Sequence, residues 1–463
     1  MKKPPMENSA LVSAYNYAAG YRQRPHTLDA TEDAIELRRK FCIPTPQTGR
    51  NGNDVILDLI AAAEPGLVGN TDPNFFAWVM GGSHTTGVAA DWLTSIWGQN
   101  AAIFQTSPAA AIAEEAVGAW VLDLLDLPRD SSVGLVTGAT MAGFVSLAAA
   151  RGDVLARAGY DIEERGLQGA PLIHIYLSED AHASNLAALR YLGFGEANFV
   201  YIAADTQGLM DSQALHTAMK KQIGPKIVIA TAGHINSGGF DDMDAIARAC
   251  KAQNAWLHVD GAFGLWARLL PEKSHLTKSI DMADSWSVDG HKWLQIPYDC
   301  GFAIVRNAQA HRKAMDISAN YLNRGPHDGR NPTEYNPELS RRARGFAAWA
   351  TINALGREGI VALIERHCAC ATLLQKRLAG VSAIQIRNHV ELNQIVLRVD
   401  DCDESTRMLA KRLNTQCGTF VRTTVWRGET VLRISIIENN TDIATIIKLA
   451  DNIERLIKAD QCE

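Results

Sequence analysis

The chain has no run approaching the roughly 18 uncharged apolar residues that a membrane span requires. Its opening stretch, MKKPPMENSA, carries two lysines with no apolar segment behind them. Neither a membrane anchor nor a secretory signal is expected. A basic surplus is also missing: the formal net charge is -6 and Lys and Arg are scattered, which argues against a nucleic-acid partner. Cysteine is sparse, with 8 in 463 residues, so a dense disulfide framework is not expected and a reducing cytoplasm is the expected compartment. HCAC at 367–370 continues the helical pattern GIVALIER, in which neighbours diverge by about 100°. His367, Cys368 and Cys370 then point apart, and no metal site is expected.

What is present is an ordinary globular composition, 47% hydrophobic and 21% charged, long enough for two or three domains. Residues 1–85 are irregular around short helical stretches such as VILDLIAAA and read as an arm. Residues 86–345 read as a large domain. Within it VGLVT, LIHIYL, NFVYIA, KIVIATAG and AWLHVD alternate with helical segments, the rhythm of a mostly parallel sheet covered on both faces. NYLNRGPHDGRNPTEYNP, 320–337, is crowded with Gly, Pro and Asn and reads as a long loop. Residues 346–463 then read as a smaller α+β unit: helix, glycine break, helix, followed by strands IQIRN, QIVLRV, FVRTTV and TVLRISI and a closing helix.

Chemistry concentrates at expected strand ends. Asp260 follows the apolar WLHV and precedes Gly261; it is either a turn residue or a carboxylate at the end where parallel sheets bind ligands, with Ala262 leaving room beside it for a flat cationic ring. Lys292 stands among Trp286, His291, Trp293 and Leu294. It either pairs with Asp289 or serves as an amine whose desolvation favours Schiff-base chemistry. Asp260 and Lys292 together suggest pyridoxal phosphate, acid on the ring nitrogen and lysine on the aldehyde. GLVTGATMAGF supplies a strand, a turn at Gly138, the Thr140 hydroxyl and a helix start suited to an anion. It is not a nucleotide P-loop, because Phe144 and Val145 stand where Lys and Ser/Thr are needed. His182, after LIHIYL, could stack on the ring's free face or merely start a helix.

The order GATMAG, DAHAS, HVDGAFG, DGHKWLQIPYDCG resembles the group II pyridoxal-phosphate-dependent amino-acid decarboxylases, which include the aromatic amino-acid and glutamate decarboxylases. The resemblance runs from FFAWVMGG at 75–82 through the C-terminal unit, and HVDGA with HKW is its most specific part. It implies an α/β fold of the pyridoxal-phosphate-dependent transferase type (fold type I, aspartate aminotransferase-like) with a smaller C-terminal α+β domain. It further implies Lys292 as the aldimine lysine, His182 stacking on the ring, Asp260 on the pyridinium nitrogen and Ala262 beneath it. By the same likeness Ala139, Thr140 and His291 would help hold the phosphate and aldimine, and His234 would approach the cofactor. Trp78, Val79 and Phe104 are implied pocket walls. The expected function is decarboxylation of an L-amino acid, with the aromatic ones as a candidate class, to an amine and CO₂ by a cytoplasmic carboxy-lyase. It would act as a homodimer with sites at the interface.

The proton donor is where the chain departs from that pattern. The family's loop tyrosine would fall near Pro332, whereas this chain offers Tyr321 and Tyr335, of which Tyr335 is three residues away. With an altered acid, oxidation to an aldehyde, ammonia and peroxide is the alternative outcome. An aminotransferase is a further alternative, with Arg427 or Arg433 binding a carboxylate. A nicotinamide dehydrogenase is not expected, because GATMAG does not fit GxGxxG.

Overall fold

The computed structural model describes residues 7–24, 27–317 and 329–460; Tyr321 lies outside them. The large unit is built on a seven-stranded sheet: β1 (Ser132–Val136), β2 (His174–Ser178), β3 (Phe199–Ile202), β4 (Lys226–Thr231), β5 (Trp256–Asp260), β6 (Ser285–Asp289) and β7 (Gly301–Val305), in the order β1-β7-β6-β5-β4-β2-β3. Strands β2 to β6 pair in parallel, and β7 alone is reversed, lying antiparallel to both β6 and β1. The carboxyl ends of β1, β2, β4, β5 and β6 therefore open on one edge of the sheet.

Alternate residues feed cores on opposite faces. Ile227 and Ile229 of β4 join the core under helices Ala139–Arg157 and Ala183–Tyr191, while Val228 and Ala230 join the other. Every position of β1, β5, β6 and β7 is buried, as a strand covered on both faces requires. Strands β6 and β7 are absent from the sequence reading, and the reason is visible in SWSVD. Its serines look like turn residues, yet Ser285 Oγ is buried and bonded to Trp256 Nε1 at 2.9 Å and to His258 Nδ1 at 2.9 Å. Neighbouring strands satisfy the hydroxyl, so the segment can be polar and central at once.

Helix Arg344–Leu378 is two helical halves joined at a kink, where Gly356 takes non-helical angles (φ 61, ψ 175) at the expected glycine break. Its first half packs in the large unit through Ala347, Ala348 and Ile352, and its second half in the small one through Cys370, Ala371 and Leu374. The small unit holds an antiparallel sheet, β10-β11-β9-β8, with β8 (Ile384–Ile386), β9 (Gln394–Val399), β10 (Arg422–Trp426) and β11 (Glu429–Ser435). It is packed by helices Asp403–Gln416 and Ile443–Asp460. Residues 73–76 of the leading segment are tied into it: Phe76 N–H donates to Phe420 O at 2.8 Å, and Phe75 stacks on Phe420 at 4.9 Å.

His367 is fully buried; its Nδ1 accepts from Trp293 Nε1 at 3.0 Å, and its Nε2 lies 2.9 Å from Glu438 O. Cys368 and Cys370 are buried free thiols, and among the described residues no metal-holding cluster exists. Among those residues, too, no helix is long and apolar enough to cross a membrane.

Candidate active site

A cavity of about 310 Å³ opens at the carboxyl ends of the parallel strands. It is lined by Ala139 and Thr140 after β1, His182 after β2, His234 after β4, Asp260 and Ala262 at the end of β5, and His291 and Lys292 between β6 and β7. All the residues expected to hold a cofactor thus meet in one place. Lys292 sits on a strand-to-strand connection rather than a strand-to-helix turn, because β6 and β7 form an antiparallel pair with Asp289 opposite Gly301. The connection is pressed against the leading segment: a Cβ at Gly81 would stand 2.2 Å from Lys292 O, so only glycine fits there. Trp293, held by His367, anchors the next position in the core.

Asp260 is 6% exposed, and both its oxygens are oriented: Oδ2 accepts from Asn185 Nδ2 at 2.7 Å and Oδ1 from Ala262 N–H at 3.2 Å. His182 caps helix Ala183–Tyr191, its Nδ1 accepting from Ser184 N–H at 3.2 Å. Burial pushes its basicity down, so the ring is neutral near pH 7 and carries its proton on Nε2. His234 and His291 are likewise pushed down by burial. His234 Nδ1 accepts from Asn236 N–H at 3.3 Å, inside a turn pinned by Asp241, whose carboxylate takes the N–H groups of Met210 and Thr231. His291 Nδ1 accepts from Cys300 N–H at 3.1 Å, and the ring stacks on Tyr298 at 4.4 Å.

Helix Ala139–Arg157 begins at Gly138 without a side-chain cap from the residue before it, and Gly138, Ala139, Thr140 and Met141 at its start line the cavity. The first of them, Ala139 N–H, donates to Asp289 Oδ1 at 2.6 Å, and Asp289 Oδ2 lies 3.0 Å from Lys292 Nζ. The sequence reading had Asp289 only as a structural partner of the lysine; the geometry also places it against the helix start and 3.4 Å from His291 Nε2. Asn185 was missed outright. An Asn in the first turn of a helix gives no sign that it reaches a residue 75 positions away.

Other expectations need correction for the single chain. Of the three suggested walls only Val79 lines the cavity. Trp78 is 44% exposed and packs on Phe75 and Phe420, and Phe104 begins a short 3-10 turn whose N–H is held by Asn331. Tyr335 does not reach the cavity either. It closes a 3-10 turn, Pro332–Tyr335, with its ring 5.2 Å from His311 and the Arg330 guanidinium 4.5 Å above it. Arg433 is buried, donates to Asn236 Oδ1 at 3.0 Å and is pushed down to about 10 by burial, while Arg427 Nη1 donates to Asp205 O. Neither arginine lines the cavity.

The pyridoxal-dependent decarboxylase conserved domain matches residues 36–400. The chain belongs to that family. Aromatic-L-amino-acid decarboxylase of Bacillus atrophaeus is 27% identical over 446 residues, spanning 92% of this chain and 90% of that one. L-2,4-diaminobutyrate decarboxylase of Rhizobium meliloti (strain 1021) is 32% identical over 314 residues, spanning 66% and 59%. Among solved structures, Oryza sativa TDC with PLP and tryptamine superposes with a TM-score of 0.88 at 23% identity, covering 98% of this chain and 97% of that one. This last likeness bears out the fold class expected from sequence. By its family the chain is a pyridoxal-phosphate-dependent carboxy-lyase.

The residues present fit that cofactor. An oriented, buried carboxylate suits a ring N–H, a flat neutral imidazole suits a ring face, an amine stands within the cavity, and helix N–H groups suit a phosphate. One carboxylate, Asp289, stands against the expected phosphate position.

Proposed function

We propose that the chain decarboxylates an aromatic L-amino acid to the corresponding amine and CO₂, with Lys292 as the residue that carries the cofactor. The observation that carries this reading is the convergence of Lys292, Asp260 and His182 on one cavity at the sheet's carboxyl edge. The aromatic class rests on the named relatives, two of which are an aromatic-L-amino-acid decarboxylase and tryptophan decarboxylase 1 of Oryza sativa subsp. japonica. When bound, pyridoxal phosphate supplies an aldehyde for amines and a ring that accepts the electron pair left by a departing carboxylate. Lys292 presents its amine to that aldehyde. Asp260, held by Asn185 and Ala262, keeps a proton on the ring nitrogen, which is what makes the ring an acceptor. His182 and Ala262, which both line the cavity, would pack against the ring. Val79, Met141, Ile235 and Phe263 give the cavity apolar wall, which keeps water from the carboxylate about to lose its charge.

The chain acts as a homodimer in this reading. Helix Thr85–Trp97 exposes four large apolar side chains within six positions, Trp92, Leu93, Ile96 and Trp97, and helix Gly52–Ala63 exposes Val55, Leu57 and Leu59. Because Tyr335 stays away from its own chain's cavity, its hydroxyl serves as the proton donor only if a second copy receives it. The deciding experiment incubates the loaded enzyme with aromatic, acidic and basic amino acids and follows CO₂, amine, aldehyde and peroxide together. CO₂ with the matching aromatic amine is expected. CO₂ with aldehyde and peroxide would replace this reading by an oxidative one, and amine transfer to a keto acid without CO₂ would replace it by an aminotransferase.

A further inference from the structure

Two other helices of the same unit take a carboxylate from the residue just before them: Asp211 caps Ser212–Lys221, and Asp242 caps Met243–Ala252. Helix Ala139–Arg157 has Gly138 in that place and draws its carboxylate from Asp289, 150 residues further on. Gly138 is what allows this, since the Cβ of any other residue would stand 3.2 Å from Asp289 Oδ1 and 2.9 Å from His291 Cε1. The Asp289 side chain is 3% exposed. Its Oδ1 takes Ala139 N–H and faces His291 Nε2, and its Oδ2 takes Lys292 Nζ. These are the donors to which the cofactor reading assigns the phosphate and the aldehyde.

We propose that Asp289 is a built-in occupant of the phosphate position, so that loading is a contest between its carboxylate and the incoming phosphate for the same helix N–H groups. The inference rests on the cofactor assignment above. Two consequences follow from the geometry. An anion that docks on the first turn of helix Ala139–Arg157 meets a buried negative charge, which weakens its binding. The same carboxylate also tethers Lys292, so the amine must leave an ion pair before it bonds an aldehyde. Asp289 is therefore a positioning residue that restrains both ends of the cofactor site until a phosphate displaces it. A simple helix cap would do neither.

Three ligands separate these effects on the full-length chain stripped of cofactor: inorganic phosphate, pyridoxal phosphate and pyridoxal, titrated calorimetrically into the wild type and Asp289→Asn. Inorganic phosphate and pyridoxal phosphate are expected to bind about tenfold tighter to the variant, roughly the effect of one relieved charge contact. Pyridoxal, which lacks the phosphate, is expected to change much less. Unchanged or weaker phosphate binding would show that Asp289 is only a cap. An equal gain for pyridoxal would show that it acts through Lys292 alone; either result overturns the proposal. Asp289→Ser, also uncharged, should give the same sign and replaces the Asn variant should that one not fold. Borohydride reduction and peptide mapping then test the underlying assignment separately. An adduct on Lys292 in both proteins upholds it, and no adduct in either sinks the cofactor reading itself, whatever the phosphate titrations show.

Discussion

The strand-end cavity and the Pro332–Tyr335 edge treat their sequence-chosen residues in opposite ways. At the cavity, residues from far-apart positions between 139 and 292 converge because each follows directly on a strand whose register is fixed by its neighbours. At the edge, Tyr335 is equally well chosen by type, but it sits beyond a long connection and is captured by His311 and Arg330 instead. A residue within about four positions of the end of a paired strand inherits the sheet's precision; a residue many positions along a connection goes where local contacts take it.

The harshest way to break this contrast is Lys292→Ala. CO₂ release should fall by at least about a thousandfold, since the amine that holds the cofactor is gone. Persisting turnover would mean the convergence at the cavity is not the active site. Asp260→Ala should lower kcat by roughly a hundredfold to a thousandfold with KM changed less, because a charge that matters mainly as electrons arrive on the ring is removed.

Acid should act on the frame as well as on the cavity histidines, which burial shifts in the same direction. Burial pushes His258 down to about 4, and His311 and His367 down to about 3. Their folded values lie below the unfolded one near 6.5, so the unfolded chain binds protons first as pH falls. The stability these neutral rings confer is complete above about pH 6.5 and is lost progressively toward pH 3 to 4, at up to about 1.4 kcal/mol per pH unit for each. Thermal melts from pH 7 to 4 should show the decline. His311→Asn, at the Tyr335 edge, should soften it, and an unchanged slope would place the lability elsewhere.

Ile96→Asp on helix Thr85–Trp97 tests the exposed apolar face. Sedimentation should show a shift from dimer toward monomer, with activity falling about tenfold at low protein concentration. Unchanged sedimentation would detach that face from assembly. The smallest effect on total turnover is expected from Tyr335→Phe: CO₂ release within about threefold of wild type, but with aldehyde rising relative to amine. An unaltered product ratio would confine Tyr335 to its packing role beside His311.

Much of this was legible in the sequence for identifiable reasons. Apolar runs of strand length announced β1 to β5, and Gly356 announced the break in helix Arg344–Leu378 because few other residues tolerate its φ. The types at 182, 260 and 292 named the cofactor because an imidazole, a carboxylate and an amine at strand ends suit that chemistry. Less legible was anything that depends on a distant partner. Strand β6 hid behind serines that only His258 and Trp256 satisfy. Asn185 looked like an ordinary residue in a first helical turn until the sheet brought Asp260 to it.

The sequence by itself therefore determined five of the seven strands of the sheet, the identity of the reactive groups and the family, because these reside in local pattern and residue chemistry. Only the tertiary structure decided that Lys292 lies between two antiparallel strands, that Asp289 rather than a local cap holds the start of helix Ala139–Arg157, and that Tyr335 faces His311. Those are outcomes of strand order and close backbone approach between partners from 24 to 150 positions apart for the side-chain contacts, and they leave no trace in the spacing of either partner alone.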